Sequence, residues 1–191
     1  MWIIGVLSTI KIWYHRYMQE NTSTKSLLWE YFSQNQRNLI EEGQYLMNEV
    51  IKDHAYTFKD YSFLIFPFAK AYEGFLKQLF KDVRLISHLD YISDHLRLGK
   101  LMSPNLVQKL GDKSLYEKIR LNGSRELAEK IWSTWKLGRN QIFHYFPHNV
   151  KSVSFDEANK IIIDIMETME LAYASLRKMR VMHTLKELSV N

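Results

Sequence analysis

The sequence contains no cysteine, only three prolines and only seven glycines among its 191 residues. The lack of cysteine excludes disulfide bonds, thiolate zinc sites and a cysteine nucleophile. It also fits a reducing compartment, so we expect a cytoplasmic protein. Because helix breakers are so few, long uninterrupted segments favour helices over many short strands.

The sequence also has no long apolar run. Its apolar start, Met1–Leu7, meets Lys11 too early to span a bilayer, and it lacks the basic start of a signal peptide. Hydrophobic residues make up 46% of the chain, which is enough for a core. The net charge of +5 suits a polyanionic partner, although many ordinary proteins share it. We expect a helical extension over 1–22, one helical domain over 23–191, and no membrane association.

Apolar residues recur at helical spacing along most of the chain. Residues 61–81 are apolar on most sides and should form a central helix, with Pro67 kinking it or marking its first turn. A loop is expected from Leu98–Lys100 to Ser103–Pro104. Ser124 should cap the helix that begins at residue 125. The pattern indicates an all-α bundle. Its other predicted helices cover residues 2–20, 25–52 with an interruption at Asn35–Asn38, 84–98, several short pieces between the loop and Leu121, 125–145 and 155–182.

Arg139 and His144 lie near the end of the 125–145 helix. Cleavage of RNA by its own 2′-hydroxyl needs a general acid and base, and histidine titrates near neutral pH. It also needs a fixed positive charge for the phosphorane, and arginine holds phosphate with two parallel hydrogen bonds. This route requires no metal ion and no cofactor. Without further observations, a surface ion pair and a helix-terminal histidine would explain the same two residues.

The five-residue spacing is awkward for an ideal α-helix, because it separates Arg139 and His144 by about 140° around the axis. Asn140 and His144, four residues apart, share a face instead. Arg139 and His144 can converge if the helix unwinds before Pro147, or if two copies of the motif face each other across a two-fold axis. Both routes make the site depend on a helix end and on a homodimer.

Two segments resemble the HEPN ribonucleases. Arg139 and His144 match their R-x4-6-H motif, and the segment from Ile65 to Lys77 is similar to one in the RNase LS toxin family. The resemblance covers roughly residues 25–180 and implies a helical HEPN-like domain that dimerises, cuts RNA and is held by a protein antitoxin. It also implies that Lys70 and Glu73 join the site.

The chain departs from the family in several respects. RNase LS toxins carry extra domains ahead of this one, for which 191 residues leave no room. Lysine at position 70 cannot hold a phosphate with two parallel hydrogen bonds, as arginine does. Phe146 stands where many HEPN proteins have a tyrosine, which argues against control by nucleotidylation of that residue. Glu73 has a purely structural alternative, as a buried acid paired with Lys70, Lys77 or Arg139.

Three other patterns have ordinary explanations beside functional ones. The segment 109–139 has an excess of four positive charges, which suits either an RNA backbone or a solvated helix face. Trp132 and Trp135 are better explained by core packing than by base stacking. Asp90, Asp94 and His95 suggest a polar helix face rather than a metal site.

The sequence therefore predicts a metal-independent endoribonuclease of toxin type. In this reading His144 is the acid and base, Arg139 stabilises the transition state, and Asn140, Lys70 and Glu73 support them. The alternative is an inactive HEPN-like interaction module that binds RNA or a protein partner in a defence system.

Overall fold

The computed structural model describes residues 23–52, 56–143 and 152–189, and these form helices without any strand. The predicted helix over 2–20 lies outside the described residues. No helix of the described part has the length and apolar character needed to cross a membrane. The α-helices are α1 (Ser23–Tyr31), α2 (Gln34–Lys52), α3 (Ser62–Asp82), α4 (His88–Ile92), α5 (Leu98–Leu101), α6 (Val107–Leu110), α7 (Leu115–Asn122), α8 (Arg125–Trp135), α9 (Gln141–Phe143) and α10 (Phe155–Ser189).

Helix α3 is the centre of the bundle, as its composition predicts. It packs against α2 on one side and α10 on another. Pro67 lies in its second turn rather than its first, and the helix continues past it to Asp82. Most of its apolar side chains are buried, namely Leu64, Ile65, Phe68, Ala69, Ala71, Tyr72, Phe75, Leu76, Leu79 and Phe80.

A buried hydrogen bond joins α3 to α8, the helix that leads to the candidate site. The Tyr72 hydroxyl donates to the Ile131 carbonyl oxygen at 3.1 Å, and the Tyr72 side chain is almost completely enclosed. Burial raises the pKa of Tyr72 well above its ordinary value, and the negative charge of the Asp164 carboxylate raises it further. The hydroxyl therefore keeps its proton and remains a donor.

The start of α3 is joined to the segment that precedes α10. The Tyr61 N–H donates to the Val153 carbonyl oxygen at 2.8 Å, and the Val153 N–H donates to the Asp60 carboxylate at 3.1 Å. Ser62 also donates to Asp60 from its backbone and its hydroxyl. Partial burial raises the pKa of Asp60, but these hydrogen bonds together lower it below its ordinary value.

Three predicted boundaries are wrong, two of them because local side-chain hydrogen bonds set the helix ends. The first long helix breaks at Ser33, not at Asn35–Asn38, since Ser33 and Gln36 exchange side-chain and backbone hydrogen bonds in a capping box. The helix expected over 84–98 is only α4, which begins after a capping box formed by Ser87 and Asp90. The loop expected over 98–104 begins with the short helix α5, whose first residue is buried.

The two helices that flank the candidate site begin where they were predicted to begin. The Ser124 hydroxyl accepts a hydrogen bond from the Leu127 N–H at 3.1 Å and caps α8. Helix α10 begins at Phe155 as expected and extends to Ser189, beyond the predicted end at 182. Several short helical turns between Pro104 and Asn122 agree with the short pieces expected there.

We predict that Tyr72→Phe lowers the free energy of unfolding by about 1 kcal/mol, because it deletes one buried hydrogen bond without leaving a large cavity. Urea denaturation followed by circular dichroism measures the change. Tyr45→Phe is the matched control, since Tyr45 is 64% exposed and its hydroxyl makes no hydrogen bond to a described residue. Equal effects of the two substitutions would contradict a contribution from the Tyr72–Ile131 bond.

Candidate functional site

The helix that carries Arg139 changes its geometry just before that residue. A single α-helix was predicted over 125–145, but α8 ends at Trp135 and a π-helical turn covers Lys136–Asn140. The Gln141 N–H donates to the Lys136 carbonyl oxygen, five residues back. Such turns are rare in proteins, and many of those that do occur lie at functional sites. The 100° rotation per residue used for the sequence prediction therefore does not hold through this turn.

Gly138 packs the π turn directly against α10. A methyl group at this position would lie 2.9 Å from the Ile165 Cδ1 atom and 3.5 Å from the Ile161 Cγ2 atom. Gly138 is buried and Ile165 is completely enclosed, so neither has free space beside it. The close approach fixes the distance between the π turn and α10, and with it the backbone that carries Arg139.

Arg139 is held between an acid and an aromatic ring. Its Nη2 atom lies 2.9 Å from the Glu73 Oε2 atom of α3, and its guanidinium carbon lies 4.9 Å from the centre of the Trp135 ring. The Arg139 side chain is still 39% exposed. A guanidinium has five N–H donors, so this arrangement leaves some of them available to a ligand.

Trp135 belongs to the core, in agreement with the preferred sequence interpretation. The side chain is 2% exposed and its ring lies 6.3 Å from that of Tyr72. Its Nε1–H is buried without an acceptor in the described part of the chain, and it faces Gly99, where a methyl group would approach it to 2.7 Å. The buried Trp135 ring thus packs against the Arg139 guanidinium and is not available to stack on a base.

Glu73 and Lys70 of α3 have different surroundings although they are only three residues apart. Glu73 is 25% exposed and interacts with Arg139 and, at 3.6 Å, with Lys77. These pairs fit both the functional and the structural interpretation of Glu73. Lys70 is exposed, and no described residue forms an ion pair with it. Asn140 lies half-buried in the π turn.

The structure does not place every residue of the predicted site. His144 lies outside the described residues, as do Tyr145, Phe146 and Pro147. The described chain stops at Phe143 and resumes at Ser152. Arg139 and Glu73 are therefore brought together, while the convergence of Arg139 with His144 stays a prediction.

Two aromatic residues of this region were missed by the sequence reasoning. The Phe143 ring at the end of α9 contacts the Phe66 ring of α3 edge to face, with 5.4 Å between the ring centres. Their side chains are 40% and 50% exposed. The spacing of Phe66, Lys70 and Glu73 on one helix gave a readable signal, because residues four and seven positions apart share a face.

Half of the basic residues in the segment 109–139 are paired with acids. Arg120 pairs with Glu117, Arg125 with Glu129, Lys130 with Asp164 and Arg139 with Glu73. The other four, Lys109, Lys113, Lys118 and Lys136, make no ion pair to a described residue, although Lys118 donates to the Leu85 carbonyl oxygen. This distribution favours the solvated-face interpretation for the paired half of the segment, and the basic groups at the candidate site are Arg139, Lys70 and Lys77.

A separate pocket and a suspected metal cluster both lie apart from Arg139. A pocket of about 680 Å³ opens between α8 and the first half of α10, and neither Arg139 nor Glu73 lines it. The described residues contain no group of three side chains suited to a metal ion. Asp90 instead accepts hydrogen bonds from Ser87, which lower its pKa below the ordinary value.

We predict that Gly138→Ala destabilises the protein by about 1–3 kcal/mol, because the added methyl group overpacks the contact with Ile165. At an ordinary helical position a Gly→Ala substitution stabilises the protein by about 0.5–1 kcal/mol. The sign of the change in unfolding free energy therefore shows whether the added methyl group is overpacked. Ile165→Val removes the Cδ1 atom and should cost about 0.5–1.5 kcal/mol alone. The double variant should be more stable than the sum of the single effects predicts. Chemical denaturation measures all three, and a stabilised Gly138→Ala protein would contradict the close contact.

Comparison with known proteins gave no match to a protein-family model, to a curated protein or to a solved structure.

Proposed function

We propose that the chain is a metal-independent endoribonuclease of toxin type, in which Arg139 and His144 act on RNA. The observation that carries the proposal is the position of Arg139. Its guanidinium is fixed by the Glu73 carboxylate and the Trp135 ring, yet 39% of the side chain remains accessible. An arginine fixed in this way can stabilise a developing phosphorane without reorganising first.

In the proposed reaction an RNA 2′-hydroxyl attacks the adjacent phosphorus atom. His144 takes the hydroxyl proton as general base and, as general acid, gives a proton to the departing 5′-oxygen. The P–O5′ bond breaks as the new P–O2′ bond forms. The products are a 2′,3′-cyclic phosphate and a 5′-hydroxyl, and no oxidant, reductant or other reactant is needed.

The remaining predicted residues have supporting roles in this proposal. Glu73 orients Arg139, and its pairing with Lys77 keeps the carboxylate from being an isolated charge. Lys70 supplies an exposed positive charge for the RNA backbone. Asn140 shares the π turn with Arg139 and can hydrogen-bond a phosphate or ribose oxygen. The resemblance to RNase LS toxins extends the proposal to a protein antitoxin as a partner.

We expect Arg139→Ala and His144→Ala each to lower the rate of RNA cleavage at least about 100-fold, because each removes a group that acts on the transition state. The assay follows a fluorescent single-stranded RNA in the presence of EDTA. Circular dichroism checks that both variants remain folded.

Two matched controls separate this effect from a general loss of charge or of imidazole. Arg125→Ala removes an exposed arginine from the same stretch of helix, and His95→Ala removes an exposed histidine. Both should cleave at the wild-type rate. Near wild-type cleavage by Arg139→Ala or His144→Ala, or activity that requires a divalent ion, would overturn the mechanism. An inactive wild-type protein would favour the interaction module.

The proposed site further requires a homodimer in which Arg139 of one copy acts with His144 of the other. Mixing the inactive Arg139→Ala and His144→Ala proteins should then restore roughly a quarter of the wild-type activity, since half of the dimers are mixed and each has one intact site. Sedimentation equilibrium measures the mass. An active monomer, or no recovery of activity in demonstrated mixed dimers, would exclude a shared site.

A further inference from the structure

The exposed contact between Phe66 and Phe143 is unusual for its position. Most apolar side chains of α3 are buried, whereas Phe66 is 50% exposed and meets the 40% exposed Phe143 ring at 5.4 Å. Neither ring belongs to the buried core, whereas Ile65 and Pro67, the neighbours of Phe66 on α3, are buried. An accessible pair of rings beside a candidate active site therefore calls for a ligand with an apolar face.

The charges around the aromatic pair have a positive excess. Lys70 follows Phe66 by one turn of α3 and is exposed, and it forms no ion pair within the described ranges. Farther along lie Lys77 and Arg139, which share the carboxylate of Glu73. Lys70, Lys77 and Arg139 thus accompany the one carboxylate of Glu73 along this face of α3 and the π turn. This local excess favours an anionic ligand over a neutral or positively charged one.

The apolar area is too small to define a protein interface by itself. A phenylalanine offers roughly 200 Å² at most, so the two partly exposed rings present on the order of 200 Å² together. A stable protein partner usually covers about 800 Å² on each side. A second copy would also bring the same excess of basic groups, whereas a nucleic acid supplies the opposite charge. A single base with its phosphate matches both the area and the charge.

We propose that Phe66 and Phe143 form a stacking subsite for one unpaired base of the RNA, and that Lys70 neutralises a neighbouring phosphate. This inference rests on the proposed ribonuclease function and adds the requirement that the substrate be single-stranded at the subsite. A base within a duplex is stacked and paired already, so it cannot lie on the rings without being extruded. Seven residues of α3 separate Phe66 from Glu73, which places the base roughly 10 Å from the ion pair along the helix axis.

The test measures binding of a fluorescent single-stranded 2′-O-methyl oligoadenosine by anisotropy, since blocking the 2′-oxygen prevents cleavage. Phe66→Ala should bind about tenfold more weakly, because stacking on an aromatic ring contributes substantially for each base. Phe66→Leu should lose the same affinity although it stays apolar, and Phe66→Trp should retain it. A blunt 2′-O-methyl duplex should bind all of these proteins equally.

Phe63→Ala is the matched control on the same helix. Phe63 is 39% exposed and contacts Phe58 and Tyr61 rather than Phe143. It should bind the oligonucleotide as the wild type does. Lys70→Ala should weaken binding and reduce the slope of log affinity against log salt by about one.

Three outcomes would overturn the stacking subsite. Wild-type affinity of Phe66→Ala would exclude a contribution from the ring, and wild-type affinity of Phe66→Leu would show an apolar contact instead of stacking. In the third outcome, Phe66→Ala loses RNA affinity only because it no longer dimerises, and a higher protein concentration restores both the dimer and the affinity. Sedimentation detects this, and the result would assign Phe66 to an interface between copies.

The subsite and the proposed function fail in different ways. A wild-type protein that binds and cuts RNA while the Phe66 variants bind normally rejects the subsite alone. A wild-type protein that neither binds nor cuts RNA rejects the proposed function as well.

Discussion

The burial of α3 is the constraint on which the other elements depend. Helices α2 and α10 pack along it, and α8 is joined to it through Tyr72. So much of its surface is enclosed that only a narrow stripe remains for contact with anything else. Phe66, Lys70, Glu73 and Lys77 occupy that stripe at intervals of three or four residues. The candidate site is therefore formed where the central helix still reaches the surface.

The π turn gives the second half of the site its position. An α-helix continued from Trp135 would rotate each later side chain by 100°, whereas the turn over Lys136–Asn140 adds a residue to one revolution. Gly138 then faces α10 while Arg139 reaches Glu73 on α3. The π turn thus allows Gly138 to pack against α10 while its neighbour Arg139 contributes to the candidate site. The ion pair and the ring contact hold the arginine there without enclosing it.

Much of the fold was predictable from the sequence because it follows from burial. The central helix was expected over 61–81 and extends from Ser62 to Asp82, and the Ser124 cap lies where it was predicted. The errors came from short-range hydrogen bonds, such as the capping box at Ser33, which a search for apolar periodicity does not weigh. The single copy of the chain that the structure describes leaves the predicted homodimer as a proposal.

The candidate site was predictable only in part. The family resemblance implied that Glu73 joins Arg139 in the site. No sequence pattern gives the packing that brings together two residues 66 positions apart in the chain. The π turn was hidden because its residues, Lys136 to Asn140, are also good α-helix formers apart from Gly138 and Asn140. The exposed Phe66 was missed because its helix is otherwise so apolar that every ring in it was assigned to the core.

The placement of Arg139 above Trp135 has an optical consequence. The electronic transitions of an indole respond to a positive charge near its face, and the guanidinium carbon lies 4.9 Å from the ring centre. Water has almost no access to this ring, since Trp135 is 2% exposed, so its emission depends mainly on fixed neighbours. An anion that draws the guanidinium away from the indole changes that environment. Trp135, one of five tryptophans in the chain, thus contributes a fluorescence that responds to what happens at Arg139.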